Sequence, residues 1–413
     1  MRNAIIVILL LLTTGCSLQQ HSNNQLANQL LHENPEKILS ILQEDTPNER
    51  DFAQYHLNLG YLQLLSGEFI PAIESLTQAK QKMQSLNATS ISENIGAGTV
   101  NETLRSYSGY PSDRVMVHNM LALSYLFNQD IEGARVEMLQ ADIAMKKLAE
   151  DKSLVGQLAS THLLSAIVYE LLDERSNAFI SYQLAEEILT ERKMAVPEGI
   201  KIALLRMSDK MGNDQAYTRL SKKYPQSVQK SYSGKQIFSL YFDGVVSNKR
   251  QESLTVPSFS GRQIIRISMP AYPKVNYNLQ RIKITDDIQN VSSEVIENIE
   301  NLAREDLAHD YPEILLATTT RATIKYAAVK AADKKDPLLG AVFNILSVIS
   351  EVADLRSWNM LPSTIQFSYL QSNSNNIVIS SLNSQDNNLD ISEANQHIIL
   401  SSSLSNNLFH YQQ

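Results

Sequence analysis

Three histidines recur in one register: His56, His118 and His162 each stand four residues before a small residue, Gly60, Ala122 and Ala166. Such a trio invites a metal reading. Equivalent residues on successive packed helix units lie roughly 10 Å apart, whereas zinc holds nitrogen at about 2.0–2.1 Å, so the three cannot share one ion. They are read as packing residues. Other chemistries lack their patterns, since the chain has no His-Glu-x-x-His, no Walker-type phosphate loop and no Gly-x-Ser-x-Gly. Gly96-Ala97-Gly98 follows no strand pattern and lacks the third glycine that a dinucleotide fingerprint needs. Asp and Glu are plentiful but scattered along helix surfaces. Cys16 is the only cysteine, so no disulfide framework exists. These observations predict no catalytic residue, no metal and no cofactor.

The elements that carry the histidines repeat. Taking Gly60, Ala122 and Ala166 as equivalent, offset +12 gives Ala72, Ala134 and Ala178, and +19 gives Ala79, Ala141 and Ala185. Bulky residues recur at +16, where Leu76, Met138 and Tyr182 stand. The pattern resembles the tetratricopeptide repeat, in which small residues let paired antiparallel helices touch and bulky ones fill the space between pairs. The spacing departs from the usual 34 residues, and the excess between the first two units falls in 87–112, a Ser/Asn/Gly-rich stretch read as a loop, with Ser112 capping the next helix. Segments 26–32 and 35–43 form a short N-terminal cap pair. A weaker fourth unit over 203–223 carries Ala216 at the +12 site and Leu204 at the reference site. The resemblance implies a binding scaffold whose groove is lined by its first helices, over 56–66, 116–127 and 161–172. Asn58, Asn119, Ser124 and Glu170 are the exposed choices there, and they suit a polar or extended peptide.

Near 224–234 the pattern changes. Alternating apolar residues in 237–242, 262–269, 279–285, 365–369, 377–379 and 398–400 predict strands, and helical periodicity returns over 291–307, 313–332 and 338–355. Segment 338–348 is apolar almost all round and too short to span a bilayer, so it is expected in a domain core. The whole reads as α+β: an all-α tetratricopeptide-repeat-like solenoid over 26–230 followed by a mixed α+β domain over 235–413. Asp354, Arg356 and the only tryptophan, Trp358, predict an ion-paired, stacked turn, with a recognition patch carried by Trp358 and Arg356 as the other reading. Arg135 and Glu137 are expected to pair with Asp113 or Arg114.

The N-terminus is organised for export. A short charged start and the apolar run 4–12 lead to Thr13-Thr14-Gly15-Cys16, which resembles the lipoprotein box cleaved before a lipid-modified cysteine, although Thr13 stands where leucine is usual. That resemblance implies a signal peptide over 1–15, acylation at Cys16 and a tether over 16–25; Ser17, in place of Asp, implies transit to the outer membrane. Loss of 1–15 removes one arginine, taking the net charge from −8 to 35 − 44 = −9. An acidic body of this kind argues against nucleic acid as partner.

Tyr110-Pro111-Ser112-Asp113-Arg114, Gly133-Ala134-Arg135-Val136-Glu137 and Asp354-Leu355-Arg356-Ser357-Trp358 resemble a family of uncharacterised proteobacterial outer-membrane lipoproteins with a repeat-like helical half and a mixed half. The resemblance implies location and layout but no catalytic residues, and its members are often encoded near lipoproteins that resemble activators of cell-wall synthases. The expectation is a lipid-anchored periplasmic adaptor that holds an envelope protein or peptide segment. A cell-wall hydrolase with an unmarked carboxylate pair and a purely structural envelope lipoprotein remain the alternatives.

Overall fold

A computed structural model of the chain describes residues 23–93, 105–149, 153–257, 263–274, 278–335, 337–349, 351–381 and 386–413. Cys16 and the leader lie outside these residues. Helix α1 occupies 23–29, within which fall the last three positions of the expected tether. It pairs with α2 (Pro35–Gln43), which starts on Asn34, whose side chain accepts the Lys37 N–H at 3.1 Å, with Pro35 in the first turn where no N–H is needed.

Four helix pairs follow: α3 (Phe52–Leu65) with α4 (Phe69–Glu93), α5 (Pro111–Phe127) with α6 (Ile131–Leu148), α7 (Ala159–Leu171) with α8 (Arg175–Glu191), and α9 (Glu198–Lys210) with α10 (Asp214–Lys223). Gly60, Ala72, Ala79, Ala122, Ala134, Ala141, Ala166, Ala178 and Ala185 are all buried. At Gly60 an added Cβ would sit 2.5 Å from Leu76 Cγ, the contact that the small residue permits. All four hairpins turn alike. Gly67, Gln129, Asp173 and Gly212 adopt positive φ, and the next N–H (Glu68, Asp130, Glu174, Asn213) reaches back to Gln63, Tyr125, Tyr169 and Ser208 carbonyls at 2.8–2.9 Å, the Schellman arrangement. This turn fixes the register of the fourth pair and corrects it by one residue: Leu205, not Leu204, stands where Gly60 does. Helix α5 likewise starts at Pro111, with Asp113 in its first turn, rather than on a Ser112 cap.

The remainder is a layered β structure with one long helix. Strands β1 (Lys235–Asp243), β2 (Arg250–Pro257), β3 (Ile264–Ala271), β4 (Ile282–Thr285), β5 (Asn290–Ser292) and β6 (Glu294–Asn298) precede α11 (Ile299–Lys335) and α12 (Pro337–Ile349); β7 (Thr364–Ser372), β8 (Asn376–Ser381), β9 (Asn387–Asp390), β10 (Gln396–Ser402) and β11 (Ser405–Gln412) follow. Five strands pair in the order β11-β10-β1-β7-β6, with only β1 and β10 parallel; β5-β4-β8-β9 form a second sheet and β2-β3 a separate hairpin. The period-two pattern sorts the central strands' side chains between two faces. Phe238, Leu240, Phe242, Ile365, Phe367, Tyr369, Ile398 and Leu400 join one core that runs through every helix pair from Leu26 onward. Ile237, Tyr241, Leu370 and Ile399 pack instead with Ile282, Ile284, Ile377 and Ile379 of the second sheet. The molecule is therefore helices, sheet, sheet, and the change of pattern near 230 is a junction in the chain without a break in the core.

Two expectations need correction here. The stretch read as separate helices over 291–307 and 313–332 begins as β5 and β6 and then runs as one helix of 37 residues through Pro312, about 55 Å at 1.5 Å per residue. Segment 338–348 is not core: in α12, Val342, Phe343 and Ile345 are exposed. An apolar circumference told of transfer preference but not of a covering layer.

Candidate functional site

The predicted groove is closed by the chain itself. Asn58 is fully buried and donates to the Asn359 side chain at 3.0 Å, while neighbouring Gln54 donates to the Ser357 carbonyl at 2.6 Å. Asn119 faces Ser160 at 3.5 Å, and the Ser160 N–H and hydroxyl both donate to Glu297 of β6 at 3.1 and 3.2 Å. Ser124 donates to the Met120 carbonyl of its own helix at 2.7 Å. Glu170 accepts from Arg206 at 2.6 Å and from Tyr182 at 3.0 Å, and that guanidinium lies 4.7 and 5.6 Å from the Tyr369 and Phe238 rings of the sheet. All four residues taken as exposed are thus buried, and the expectation that they line an open groove is corrected. Helical period identified the face correctly, but the occupant is the chain's own 235–413 region.

Trp358 is 2% exposed and lines a small internal cavity with Met116, Val246, Tyr272 and Leu302, so it is no surface anchor. The turn before it is locked as the sequence predicts, with Arg356 Nε and Nη2 donating to Asp354 at 2.9 and 2.6 Å. Its ring neighbour is Tyr107, 5.9 Å away, and the same guanidinium crosses to Asp51 at 3.2 Å and to the Arg50 carbonyl at 3.0 Å. The lock therefore clamps the helical array to the sheet region. Arg135 pairs with Glu174 at 2.6 Å, and Glu137 with Lys80 and His118, both at 2.7 Å; neither meets Asp113 or Arg114. His162 is buried, which pushes its pKa down to about 4. The His56 ring packs against Phe52 in a tilted contact, with centroids 4.3 Å apart.

Two of the family-like segments, far apart in the chain, do converge. Tyr110, Pro111 and Arg114 line one side of an open cleft of about 300 Å³, and Asp354 and Arg356 line it with Asp310 and Glu313 of α11. The loop before α5 reaches this place because the Tyr107 N–H donates to the Arg50 carbonyl at 2.8 Å, and because Gly109, at φ +73°, fits where a side chain would strike Met83. Beneath the cleft lies a buried polar network. Asp113 accepts from the Tyr107 hydroxyl and from the Tyr110 N–H at 3.0 Å; Asp306 accepts from the Ser112 N–H at 3.3 Å; Lys249 donates to the Tyr110 hydroxyl at 2.5 Å and the Arg356 carbonyl at 2.8 Å.

Burial dominates the electrostatics. It pulls the Lys249 ammonium down to about 8 despite Asp354, Asp113, Asp310 and Asp306 nearby. It pushes the Asp306 carboxyl well up, with Asp113 adding to the rise. Burial also lifts Asp113 in spite of its hydrogen bonds. Asp354 feels the same push, which Arg356 more than offsets, leaving it below the usual carboxylate value. At the rim, Arg105 and Glu313 stand 4.0 Å apart with side chains 39% and 74% exposed. The cleft thus offers both signs of charge to a polar ligand. Among the described residues no group of three or more His, Cys, Asp or Glu is placed to hold a metal ion.

No family model matches this sequence, and no curated protein matches it. Among solved structures, part of the chain is similar to the apo form of RapI (15% identity, 48% of this chain and 50% of that one, TM-score 0.35), to MamA AMB-1 (11% identity, 52% and 96%, TM-score 0.32) and to PilF of Pseudomonas aeruginosa (14% identity, 53% and 96%, TM-score 0.26). The chain spans about half the length of RapI.

The cleft was half legible in the sequence. Its motif residues stood out as segments, but Asp306, Asp310 and Glu313 of α11 and Lys249 before β2 carried no local signal, because their meaning depends on partners distant in the chain.

Proposed function

We propose that the protein is a non-catalytic adaptor, lipid-anchored at Cys16 in the outer membrane with its body in the periplasm, that binds an extended polar segment of an envelope protein in the cleft between the 105–114 loop and α11. One observation carries the reading: the groove through which such an array would hold a peptide is filled by the chain's own C-terminal region, while an open cleft of mixed charge stands at the seam, lined by Tyr110, Arg114, Asp354 and Arg356. Arginine forks and carboxylates on one rim recognise carboxylates, amides and amines of a peptide through charge-assisted hydrogen bonds. Of the three carboxylates that line the cleft, Asp354 is held by Arg356, Asp310 lies 2.8 Å from the neighbouring His309 and Glu313 stands at the rim beside Arg105, an arrangement of paired charges that suits recognition.

The test places a photo-crosslinking residue at Ser108 in cells and, as control, at Lys222 on the terminal helix pair. A discrete adduct with one envelope protein is expected from Ser108 alone. The exchange Arg105→Glu with Glu313→Arg preserves the rim pair but reverses its polarity, and should cut adduct yield about tenfold, equivalent to 1.4 kcal/mol, at unchanged melting temperature. Adduct yield indifferent to that reversal would remove the cleft as the site. Release of muropeptides from purified peptidoglycan would favour the hydrolase instead, and recovery of the native protein in the soluble fraction would overturn the anchor.

A further inference from the structure

The hairpin β2-β3, the distal half of α11 and α12 form an arm whose own packing leaves an apolar surface uncovered. Ten of the nineteen large hydrophobic side chains exposed among the described residues lie in 250–271 and 311–349. Leu316 is 68% exposed, Leu254 62% and Ile345 59%, joined by Ile264, Phe343 and Ile324. Solvated elements do not normally carry so many such residues, and an arm exposing them marks a contact.

The surface is preformed. Asn344 on α12 accepts the Ile264 N–H at 3.1 Å and donates to the Ile264 carbonyl at 2.9 Å, stitching the helix to the open end of β3. Midway along β3 the Ser268 hydroxyl donates to the Glu351 carbonyl at 3.1 Å, and the buried Glu351 carboxylate meets Lys325 at 2.7 Å and Arg321 at 3.5 Å. Helices and hairpin are therefore held as one plate.

Charge decides what covers the plate. The whole chain carries 36 Lys and Arg against 44 Asp and Glu, yet 314–349 holds five cations and two acids. Arg321 and Lys325 turn inward to Glu351, and Lys330, Lys334 and Lys335 are exposed at the corner between α11 and α12. Helix α12 itself has no charged residue over its 13 positions, about 20 Å of helix, against roughly 30 Å of bilayer hydrocarbon. No helix among the described residues is long and apolar enough to cross a membrane. A short charge-free helix edged by lysines is the composition of an element that lies in the headgroup layer of an anionic bilayer. A second copy meeting it arm to arm would set lysines against lysines.

We propose that this arm is a lipid-contact surface: α12 and the adjoining edge of β2-β3 rest at headgroup depth on an anionic phospholipid bilayer, with Lys330, Lys334 and Lys335 on the phosphates. The proposal uses the envelope reading only to place the protein beside a bilayer, and the contact can be measured without the Cys16 anchor.

The chain from Ser17 onward retains every described residue and cannot be acylated at Cys16. It should co-sediment with phosphatidylglycerol–phosphatidylethanolamine vesicles, weakly with phosphatidylcholine vesicles, and less as salt rises. Replacing Lys330, Lys334 and Lys335 by Gln should lower partitioning on the order of a hundredfold. A second variant, Leu316→Ser with Phe343→Ser and Ile345→Ser, should abolish it, and both should keep the wild-type circular dichroism and melting temperature because the altered side chains are exposed. Wild-type protein that ignores vesicles, or binds neutral and anionic ones alike, overturns the proposal. So does binding that survives in either folded variant. A dimer in solution that the serine variant dissolves, with no vesicle binding, assigns the surface to self-association instead. Vesicle binding by protein that proves soluble and unlipidated in cells would leave the arm standing and remove only the anchor.

Discussion

Glu297 shows how one residue records the closure of the array by the sheet. It stands on β6, 1% exposed, and its carboxylate accepts the Ser160 N–H and hydroxyl at the start of α7, while burial pushes its pKa up to about 7 despite Arg192 nearby. The folded state therefore keeps a proton that the unfolded chain releases near pH 4.5. Linkage fixes the sign: this group's contribution is fully present below about 4.5 and is lost as pH rises toward 7. Glu297→Gln retains an acceptor for Ser160 and removes the ionisation. We expect the variant to match wild type in urea unfolding near pH 4.5 and to exceed it by roughly 1–3 kcal/mol above pH 7.5. Parallel stability curves across that range would mean that Glu297 is ionised and solvated. Glu170 makes the complementary point, since Arg206→Met would leave its buried carboxylate with the Tyr182 hydroxyl at 3.0 Å and the more distant Lys210 ammonium at 3.8 Å. Breaking such a pair costs about 3–5 kcal/mol, and Arg206→Met paired with Glu170→Gln should recover part of that loss in thermal melts.

At the scale of elements, the seam between α9 and β7 is as tight as the contacts inside a helix pair. A Cβ at Gly199 would lie 2.7 Å from Tyr369 Cβ and 2.6 Å from the Phe367 ring. Gly199→Ala is therefore expected to lower the melting temperature, by an overpacking cost of about 1–3 kcal/mol, even though alanine is the better helix former. A variant as stable as wild type would show the seam to be loose. The helix pairs were legible in the sequence because their determinants are local: Gly60, Ala122 and Ala166 announce a close crossing within one hairpin, and Ile365, Phe367 and Tyr369 announce a sheet face by alternation. What was illegible depends on distant partners. The sequence Glu294–Asn298 is polar enough to continue the helical pattern behind it, yet it pairs with β7. Asn58 and Asn119 looked like solvated groove residues because polar side chains that satisfy a covering sheet carry the same letters as those that face water. Helix α12 erred in the opposite direction, as apolar residues without a cover read as core.

The whole molecule follows from this seam. An array of stacked pairs folds as a quasi-linear chain of neighbours, and a separate β domain would add its own transition. Here the concave face is lined by side chains that would be stranded without the C-terminal region: Asn58 pairs with Asn359 and Gln54 with the Ser357 carbonyl, both in the segment before β7, and Tyr61 packs 6.2 Å from Phe242 of β1. From the opposite end, Phe409 of β11 sits 5.2 Å from Phe69 and 5.9 Å from Phe127, on the turn side of two helix pairs. One hydrophobic core takes in α1 to α10 and the inner face of five strands, so neither half keeps its buried surface when the other unfolds. Calorimetry should accordingly give one cooperative transition whose van't Hoff and calorimetric enthalpies agree. Residues 23–230 produced alone should expose the concave face and aggregate, and mixing them with separately produced 231–413 should restore solubility. Two resolved transitions, or a soluble and monomeric 23–230 fragment with native helicity, would mean that the groove can open, and the residues along α3, α5 and α7 would again be candidates for partner binding.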